Sequence, residues 1–161
     1  MTTLQPMRAE SFGDYMEAAI AGYAQDNIDA GRWPRVGALD RSRADFESLL
    51  PRGLSTPGNF IYEIVANEGG PVVGVVWIAI EDKHGAVSAY IYDIAIEPAF
   101  RRRGHALHAL QALEPIAEAA GATGIGLNVF ANNAGAQALY RKLGYAPTNF
   151  NMHKALGQGP R

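Results

Sequence analysis

Three consecutive arginines, Arg101 to Arg103, precede Gly104 where an alternating apolar run gives way to a helix-like pattern. The first N–H groups of a helix have no intrahelical acceptor and lie at the positive end of the helix dipole. Gly104 has no Cβ, so a ligand can approach the backbone closely, and Ala106 leaves the first turn uncovered. Such successive N–H groups suit a diphosphate. Residues 101–106 are therefore predicted to bind one, the alternative being a solvated charged loop.

Other phosphate and metal motifs do not fit the chain. There is no G-x-x-x-x-G-K-[ST] sequence, and one glycine stands where a dinucleotide fingerprint needs three. Nucleoside triphosphate and nicotinamide sites are therefore not expected. His105 and His108 lie three residues apart on a predicted helix, but no further ligand is near in sequence, so no metal is expected.

Composition limits the classes of function. The chain has 161 residues, 48% of them apolar and none of them cysteine, so it can bury a core without disulfides and has no thiol nucleophile. With 14 basic and 16 acidic residues it lacks a positive field for nucleic acid or an anionic membrane, and neither partner is expected. The N-terminus lacks the apolar core of a signal peptide, so a cytoplasmic protein is expected.

Apolar periodicity predicts the elements that position the arginine loop. Spacings of three and four predict helices over residues 11–28 and 39–50. Three runs rich in β-branched and aromatic residues then predict an antiparallel meander, at 59–66, 71–81 and 85–97.

The second half of the chain predicts a crossover. A helix over residues 104–120 leads to a strand at 124–130, which a right-handed crossover places parallel to the third meander strand. A helix over 132–144 ends at Gly144, and residues 145–156 are expected to add one or two short strands.

Two motifs carry a family resemblance. R-x-x-G-x-A is matched by residues 101–106, and N-x-x-A-x-x-L-Y-x-x-x-G-[FY] is matched from Asn133 to Tyr145. The first motif alone is weak evidence for a family, but the two motifs together, in this order and at this spacing, are specific. Over residues 60–155 the chain resembles the GNAT superfamily of acyl-CoA-dependent N-acetyltransferases. Its front third is similar to a smaller bacterial subgroup whose acceptor is unassigned.

The resemblance implies a fold and a cofactor. The expected fold class is α/β (α+β), a mixed central sheet of about six to seven strands flanked by about four helices. Strands 4 and 5 are parallel and splayed, and acetyl-CoA lies in the wedge between them as acyl donor. One domain is expected over residues 1–156, followed by a tail over 157–161, in a monomer or a homodimer.

The resemblance also assigns residues. It implies that the backbone of Ile94 and Ile96 binds the pantetheine arm, that Asn133 contacts pantetheine or orders the site, and that Tyr140 protonates the departing thiolate. Pyrophosphate binding is implied for the loop and first helical turn: Arg101, Arg102, Arg103, Gly104, His105, Ala106 and Leu107. For Tyr140 the alternative is a core aromatic.

The chemistry also needs a base, because an amine with a pKa near 10 is mostly protonated at neutral pH. Asp93 is preferred, since a carboxylate inside an apolar strand needs partners to offset its desolvation. The alternative is a strand residue on a solvated face, and Tyr90, Glu63 and Glu81 are competing candidates. Trp33 and Pro34 are expected either to line an acceptor cleft or to close the edge of the core.

Two classes of function follow. One is an N-acetyltransferase that moves the acetyl group of acetyl-CoA to a primary amine of a small molecule, protein or peptide by direct attack. The other is a non-catalytic acyl-CoA-binding sensor or interaction module, which would need the arginine loop but not Tyr140. Acetylation of charged tRNA is disfavoured by the acidic balance.

Overall fold

The computed structural model describes residues 1–157, which form five strands and four α-helices. The tail predicted for 157–161 thus lies outside the described residues except for Gly157. In chain order the elements are β1 (Thr3–Pro6), α1 (Ala9–Asp29), α2 (Ala38–Leu49), β2 (Asn59–Val65), β3 (Val72–Lys83), β4 (Ala86–Ile96), α3 (His105–Ala119), β5 (Ile125–Leu127) and α4 (Ala134–Lys142).

The strands form one mixed sheet in the order β1-β2-β3-β4-β5. The first three junctions are antiparallel, and β4 pairs with β5 in parallel through the α3 crossover. The predicted α/β class, meander and crossover are confirmed.

The predicted strand count is wrong for residues 1–157, which hold five strands instead of six to seven. Residues 145–156 form no strand, and β5 is shorter than expected. Pro147 has no N–H to give to a ladder. The Thr148 hydroxyl donates to Asn149 Oδ1 at 3.1 Å, a local bond that competes with strand pairing.

Helices cover both faces of the sheet. Successive strand residues point to opposite faces, so Val76 and Ile78 of β3 pack with Leu110 and Leu113 of α3, while Trp77 packs on the other face with α1 and α2. Each fully buried side chain of this size contributes about 1.5–3 kcal/mol to folding. Within residues 1–157, no helix is both long enough and apolar enough to cross a membrane.

Candidate active site

A wedge opens where β4 and β5 part. The two strands pair only from Ala89 to Ile91, so the later part of β4 has no partner in β5. At this point Trp77 of β3 faces Asp93 while Ile78 faces Ile91, so Tyr92 is the extra residue of a β-bulge. A bulge bends and twists its strand, which turns β4 away from β5. The parallel pairing predicted from the sequence is present, and its end at Ile91 agrees with the splay that the resemblance implies.

A continuous cleft of about 2380 Å³ runs from this wedge to the arginine loop, α4 and the α1–α2 side of the sheet. All but one of the sequence-predicted site residues line it: Asp93, Ile94, Ile96, Arg101, Arg102, Gly104, His105, Ala106, Leu107, Asn133 and Tyr140. Arg103 instead places its guanidinium 5.8 Å from the centroid of the Phe100 ring.

The arginine loop has two left-handed residues next to the uncapped start of α3. Gly104 is the N-cap of α3 with φ +83°, and no side chain caps the helix. Arg102 also has positive φ, +63°, which is uncommon outside glycine and recurs at functional sites. Left-handed residues beside a helix start turn successive N–H groups into one concavity.

The arginines have different roles in the loop. Arg101 Nε donates to the Ile96 carbonyl oxygen at 2.9 Å, which ties the loop to the end of β4. Arg102 lines the cleft, and Arg103 packs on Phe100. Arg101 and Arg103 therefore contact neighbouring residues of the loop, whereas Arg102 faces the cleft.

Thr2 is a contact that sequence reasoning missed. Its hydroxyl lies 3.0 Å from His105 Nδ1, at the first residue of α3, and Thr2 is 6% exposed. The hydrogen bond holds the imidazole ring beside the predicted diphosphate site. Since the partners are 103 residues apart, no local pattern could reveal it.

Asp93 has a buried partner. Tyr15 of α1 donates its hydroxyl to Asp93 Oδ2 at 2.8 Å. Burial raises the pKa of Asp93, the negative charge of Asp26 raises it further, and the hydrogen bond from Tyr15 partly opposes both. Burial and the charge of Asp93 raise the pKa of Tyr15 well above its usual value. Asp93 is thus a carboxylate with increased proton affinity, as a general base requires.

Tyr140 enters the same cleft from α4. Burial raises the pKa of its half-buried hydroxyl, and the negative charge of Asp93 adds to the shift. Its ring packs edge-on against Tyr145 with the centroids 5.6 Å apart. Asn133 caps the same helix, because its Oδ1 accepts the Ala136 N–H at 3.1 Å. One short helix therefore fixes both predicted residues relative to Asp93.

The competing bases are less suited to proton transfer. Glu63 is 1% exposed and accepts from Gln5 at 2.7 Å and Arg8 at 3.1 Å. Burial acts to raise the pKa of Glu63, but these bonds outweigh it and the pKa is lowered. Glu81 pairs with Lys83 at 2.9 Å and accepts from Tyr92. Tyr90 lines the cleft, but burial raises the pKa of its hydroxyl.

The structure also bears on the predictions made for Trp33, for Pro34 and for a metal site. Trp33 packs edge-on against Tyr23, with centroids 5.5 Å apart, and neither it nor Pro34 lines the cleft. Trp33 therefore closes the edge of the core. Among residues 1–157, no three His, Asp or Glu side chains come together to hold a metal ion.

Tyr15→Phe is expected to move the acid limb of the kcat/KM profile to higher pH. The hydroxyl favours the charged form of Asp93, so its loss raises the Asp93 pKa further above the usual value. The limb is measured with any amine that is turned over. Tyr62→Phe removes the hydroxyl of a tyrosine that does not line the cleft and serves as control. If the acid limb of the profile does not move in Tyr15→Phe, it reports the ionisation of a group other than Asp93.

Comparison with known proteins identifies the family. The Acetyltransferase (GNAT) family model matches residues 20–145. The chain is 37% identical over 153 residues to YycN of Bacillus subtilis, an uncharacterized N-acetyltransferase, covering 95% of this chain and 97% of YycN. It is 34% identical over 154 residues to YdgE of the same organism, also an uncharacterized N-acetyltransferase, covering 96% and 98% of the two chains.

Solved structures agree with the sequence matches. The crystal structure of Bacillus subtilis YycN has a TM-score of 0.92 and 35% identity, covering 98% of this chain and all of that one. The aminoglycoside N-acetyltransferase AAC(6′)-Iy, in complex with CoA, shares the fold with a TM-score of 0.66 at 16% identity, covering 98% and 96%. The resemblance found in the two motifs is confirmed, and the chain belongs to the GNAT family of acetyltransferases.

Proposed function

We propose that the protein transfers the acetyl group of acetyl-CoA to a primary amine of a small molecule, protein or peptide by direct attack. One observation carries the proposal: a single cleft joins the arginine loop to Asp93 and Tyr140. A donor bound along this cleft has its diphosphate at one end and its thioester between a base and an acid.

The residues present fit acetyl-CoA as the donor. The uncapped start of α3 and the left-handed Arg102 and Gly104 present N–H groups to a diphosphate. Beyond Ile91, β4 has no partner in β5, which suits hydrogen bonding between the backbone near Ile94 and Ile96 and the amides of pantetheine. The complex of AAC(6′)-Iy with CoA supports this use of the fold.

The opposite side of the cleft is acidic. Asp14 and Asp26 of α1 and Asp45 of α2 line it together with Asp93, and they outnumber the two arginines on the same side, Arg32 and Arg8, the second of which is paired with Glu63. An amine arrives mostly as its ammonium ion at neutral pH, because its pKa is near 10. Negative potential attracts that cation, whereas the arginine loop attracts the anionic end of the donor. The two ends of the cleft therefore favour an amine acceptor.

The proposed reaction uses one residue at each proton transfer. Asp93 accepts a proton from the ammonium, directly or through water, which frees the nitrogen lone pair. The nitrogen attacks the thioester carbonyl carbon, so a C–N bond forms and the C–S bond breaks. Tyr140 donates its proton to the departing thiolate; its hydroxyl is protonated at neutral pH, since the ordinary pKa of tyrosine is near 10 and burial raises it. The nitrogen then loses its second proton, which returns through water to the Tyr140 oxygen, while Asp93 releases the first proton to solvent. The products are an N-acetyl amide and CoA.

The alternative is an acyl-CoA-binding module without turnover. Such a module needs the anion loop, but it does not need a base and a hydroxyl acid on the same cleft. The convergence of Asp93 and Tyr140 therefore favours the enzyme.

Thiol release from acetyl-CoA should rise above hydrolysis with cationic primary amines. A panel of diamines and lysine peptides is compared with neutral amines by following free thiol, and the N-acetylated form of each compound serves as matched control. The aspartates that line the cleft predict faster thiol release with the cationic amines. Binding of acetyl-CoA without release to any amine would favour the module.

A further inference from the structure

Gly22 lies in the interior of α1 and faces the cleft. A glycine inside a helix costs stability relative to alanine, so its presence there needs a reason. Close packing within the protein is not the reason, because a Cβ built on Gly22 would meet nothing within 4 Å beyond the helix backbone around it. Ala18, one turn earlier, also lines the cleft. The space above this part of α1 is therefore open to an occupant of the cleft.

Gly22 lies between two functional groups on one face of α1. Tyr15, which donates to Asp93, lies two turns before Gly22, and Asp26 lies one turn after it. Residues at these spacings share a helix face. From the rise of an α-helix, Tyr15 is about 10 Å from Gly22 along the axis, and Asp26 is about 6 Å from it on the other side. The open space thus separates the residue that holds the proposed base from a second carboxylate.

Asp26 is available to bind a cation in the cleft. It is exposed, it lines the cleft, and its negative charge reaches Asp93, whose pKa it raises. Among residues 1–157 it forms no ion pair. Arg32, the nearest arginine along the chain, instead places its guanidinium 5.8 Å from the centroid of the Phe130 ring. Burial and the charge of Asp29 raise the pKa of Asp26, and a bound cation would offset the repulsion from Asp29.

Aromatic side chains line the cleft on the side of α1. Trp77 stacks on Tyr92 with the ring centroids 4.7 Å apart, and Tyr90 packs edge-on against Tyr92 at 4.8 Å. These three rings and Tyr23 all line the cleft. Methylene groups bury apolar area against such rings, and an ammonium is attracted to their faces. The acceptor side of the cleft therefore suits an aliphatic chain that carries positive charge.

We propose that the acceptor is a linear aliphatic diamine, and that Gly22 and Asp26 select it. The inference rests on the proposed acetyl transfer to an amine. The reacting nitrogen lies at Asp93, the aliphatic chain crosses α1 at Gly22, and the second ammonium pairs with Asp26. Gly22 thus determines specificity through the space it leaves, and Asp26 does so through its charge.

Amino alcohols of the same chain length are the matched probes for the charge. They keep the reacting amine and the chain but lack the second ammonium, and release of free thiol from acetyl-CoA follows both compounds. After correction for its two equivalent amines, the best α,ω-diamine is expected to exceed its amino alcohol in kcat/KM by about 10-fold or more, the usual worth of a hydrogen bond between charged groups. Measurement on the plateau of the pH profile keeps changes in the Asp93 pKa out of the comparison.

Asp26→Asn should reduce the ratio of the two kcat/KM values to near unity. Asp29→Asn is the matched control, because it removes the same charge from the same end of α1. Asp29 accepts from Gln25 and does not line the cleft, so its variant should keep the preference for the diamine.

Gly22→Leu and the milder Gly22→Ala test the space. A side chain there occupies the surface that the acceptor crosses, so kcat/KM for the diamine should fall about 5- to 100-fold in Gly22→Leu and less in Gly22→Ala. Gly13 supplies the control: it lies on the opposite face of α1, has equally open surroundings and does not line the cleft. Gly22→Ala and Gly13→Ala should both raise Tm by about 1–4 °C. Only the Gly22 variants should lose activity, and a variant that is more stable but less active has not lost it through damage to the fold.

The outcomes separate this inference from the proposed acetyl transfer. Equal kcat/KM for diamines and amino alcohols, or a preference that survives in Asp26→Asn, would overturn the selection by Asp26 while acetyl transfer still stands. Wild-type kcat/KM for the diamine in Gly22→Leu would overturn the path across Gly22. No thiol release with any amine would overturn the acetyl transfer itself, and the selection of a diamine with it.

Discussion

Tyr140→Phe is expected to slow turnover by about 10²- to 10⁴-fold, the usual cost of a lost general acid, while leaving acetyl-CoA affinity nearly unchanged. The ring of Tyr140 packs against Tyr145 and the core cluster around α3, and phenylalanine keeps those contacts. Only the proton donor is lost. The thiolate must then depart without a proton, and this affects the chemical step and not binding.

Tyr145→Phe is the matched control. Tyr145 packs against Tyr140 and lines the same cleft, and burial raises the pKa of its hydroxyl to about 12. Its loss should change turnover only slightly, because no role in the reaction is assigned to it. Single-turnover measurement of thiol release separates chemistry from product release. Near wild-type single-turnover rates in Tyr140→Phe would remove Tyr140 from the mechanism.

The parts of the site that sequence could predict are those encoded locally. The glycine and arginines of the loop and the residues from Asn133 to Tyr145 each lie within one continuous segment, so their spacing carries the signal. Helical and strand periodicity then predicted the crossover that brings the two segments to one wedge. The structure places both on the same cleft.

Contacts between residues far apart in the sequence could not be predicted from local spacing. Tyr15 and Asp93 are separated by 78 residues, and Tyr15 showed only the helical spacing of a core aromatic. The bulge at Tyr92 was also hidden, since the apolar run over β4 continues through it without a break. Yet this bulge turns β4 away from β5 and opens the wedge.

The error at the end of the chain has a different physical origin. Alternating side chains in residues 145–156 favour extended backbone, and Phe150 and Met152 occupy alternate positions of a segment that joins no strand. Periodicity indicates that a segment can join a sheet, but it does not indicate which edge supplies the hydrogen bonds. The prediction of strands within the same chain was therefore wrong for the described residues.

Gly104→Glu is expected to abolish binding of acetyl-CoA. Gly104 has φ +83° at the start of α3, and an added Cβ would lie 3.4 Å from His108 Cε1. A glutamate there places a negative charge at the positive end of the helix, where the diphosphate approaches the N–H groups. Calorimetric titration should show no measurable binding, whereas the wild-type protein binds.

Left-handed backbone alone makes such a substitution destabilising, by about 1–2 kcal/mol. Gly121→Glu is the control for this effect, because Gly121 lies just past the other end of α3 with φ +90° and open space around it. Both variants should therefore lose similar thermal stability, and only Gly104→Glu should lose the ligand. Equal loss of affinity in both would mean that backbone strain acts through the fold, and unchanged affinity in Gly104→Glu would place the diphosphate away from the arginine loop.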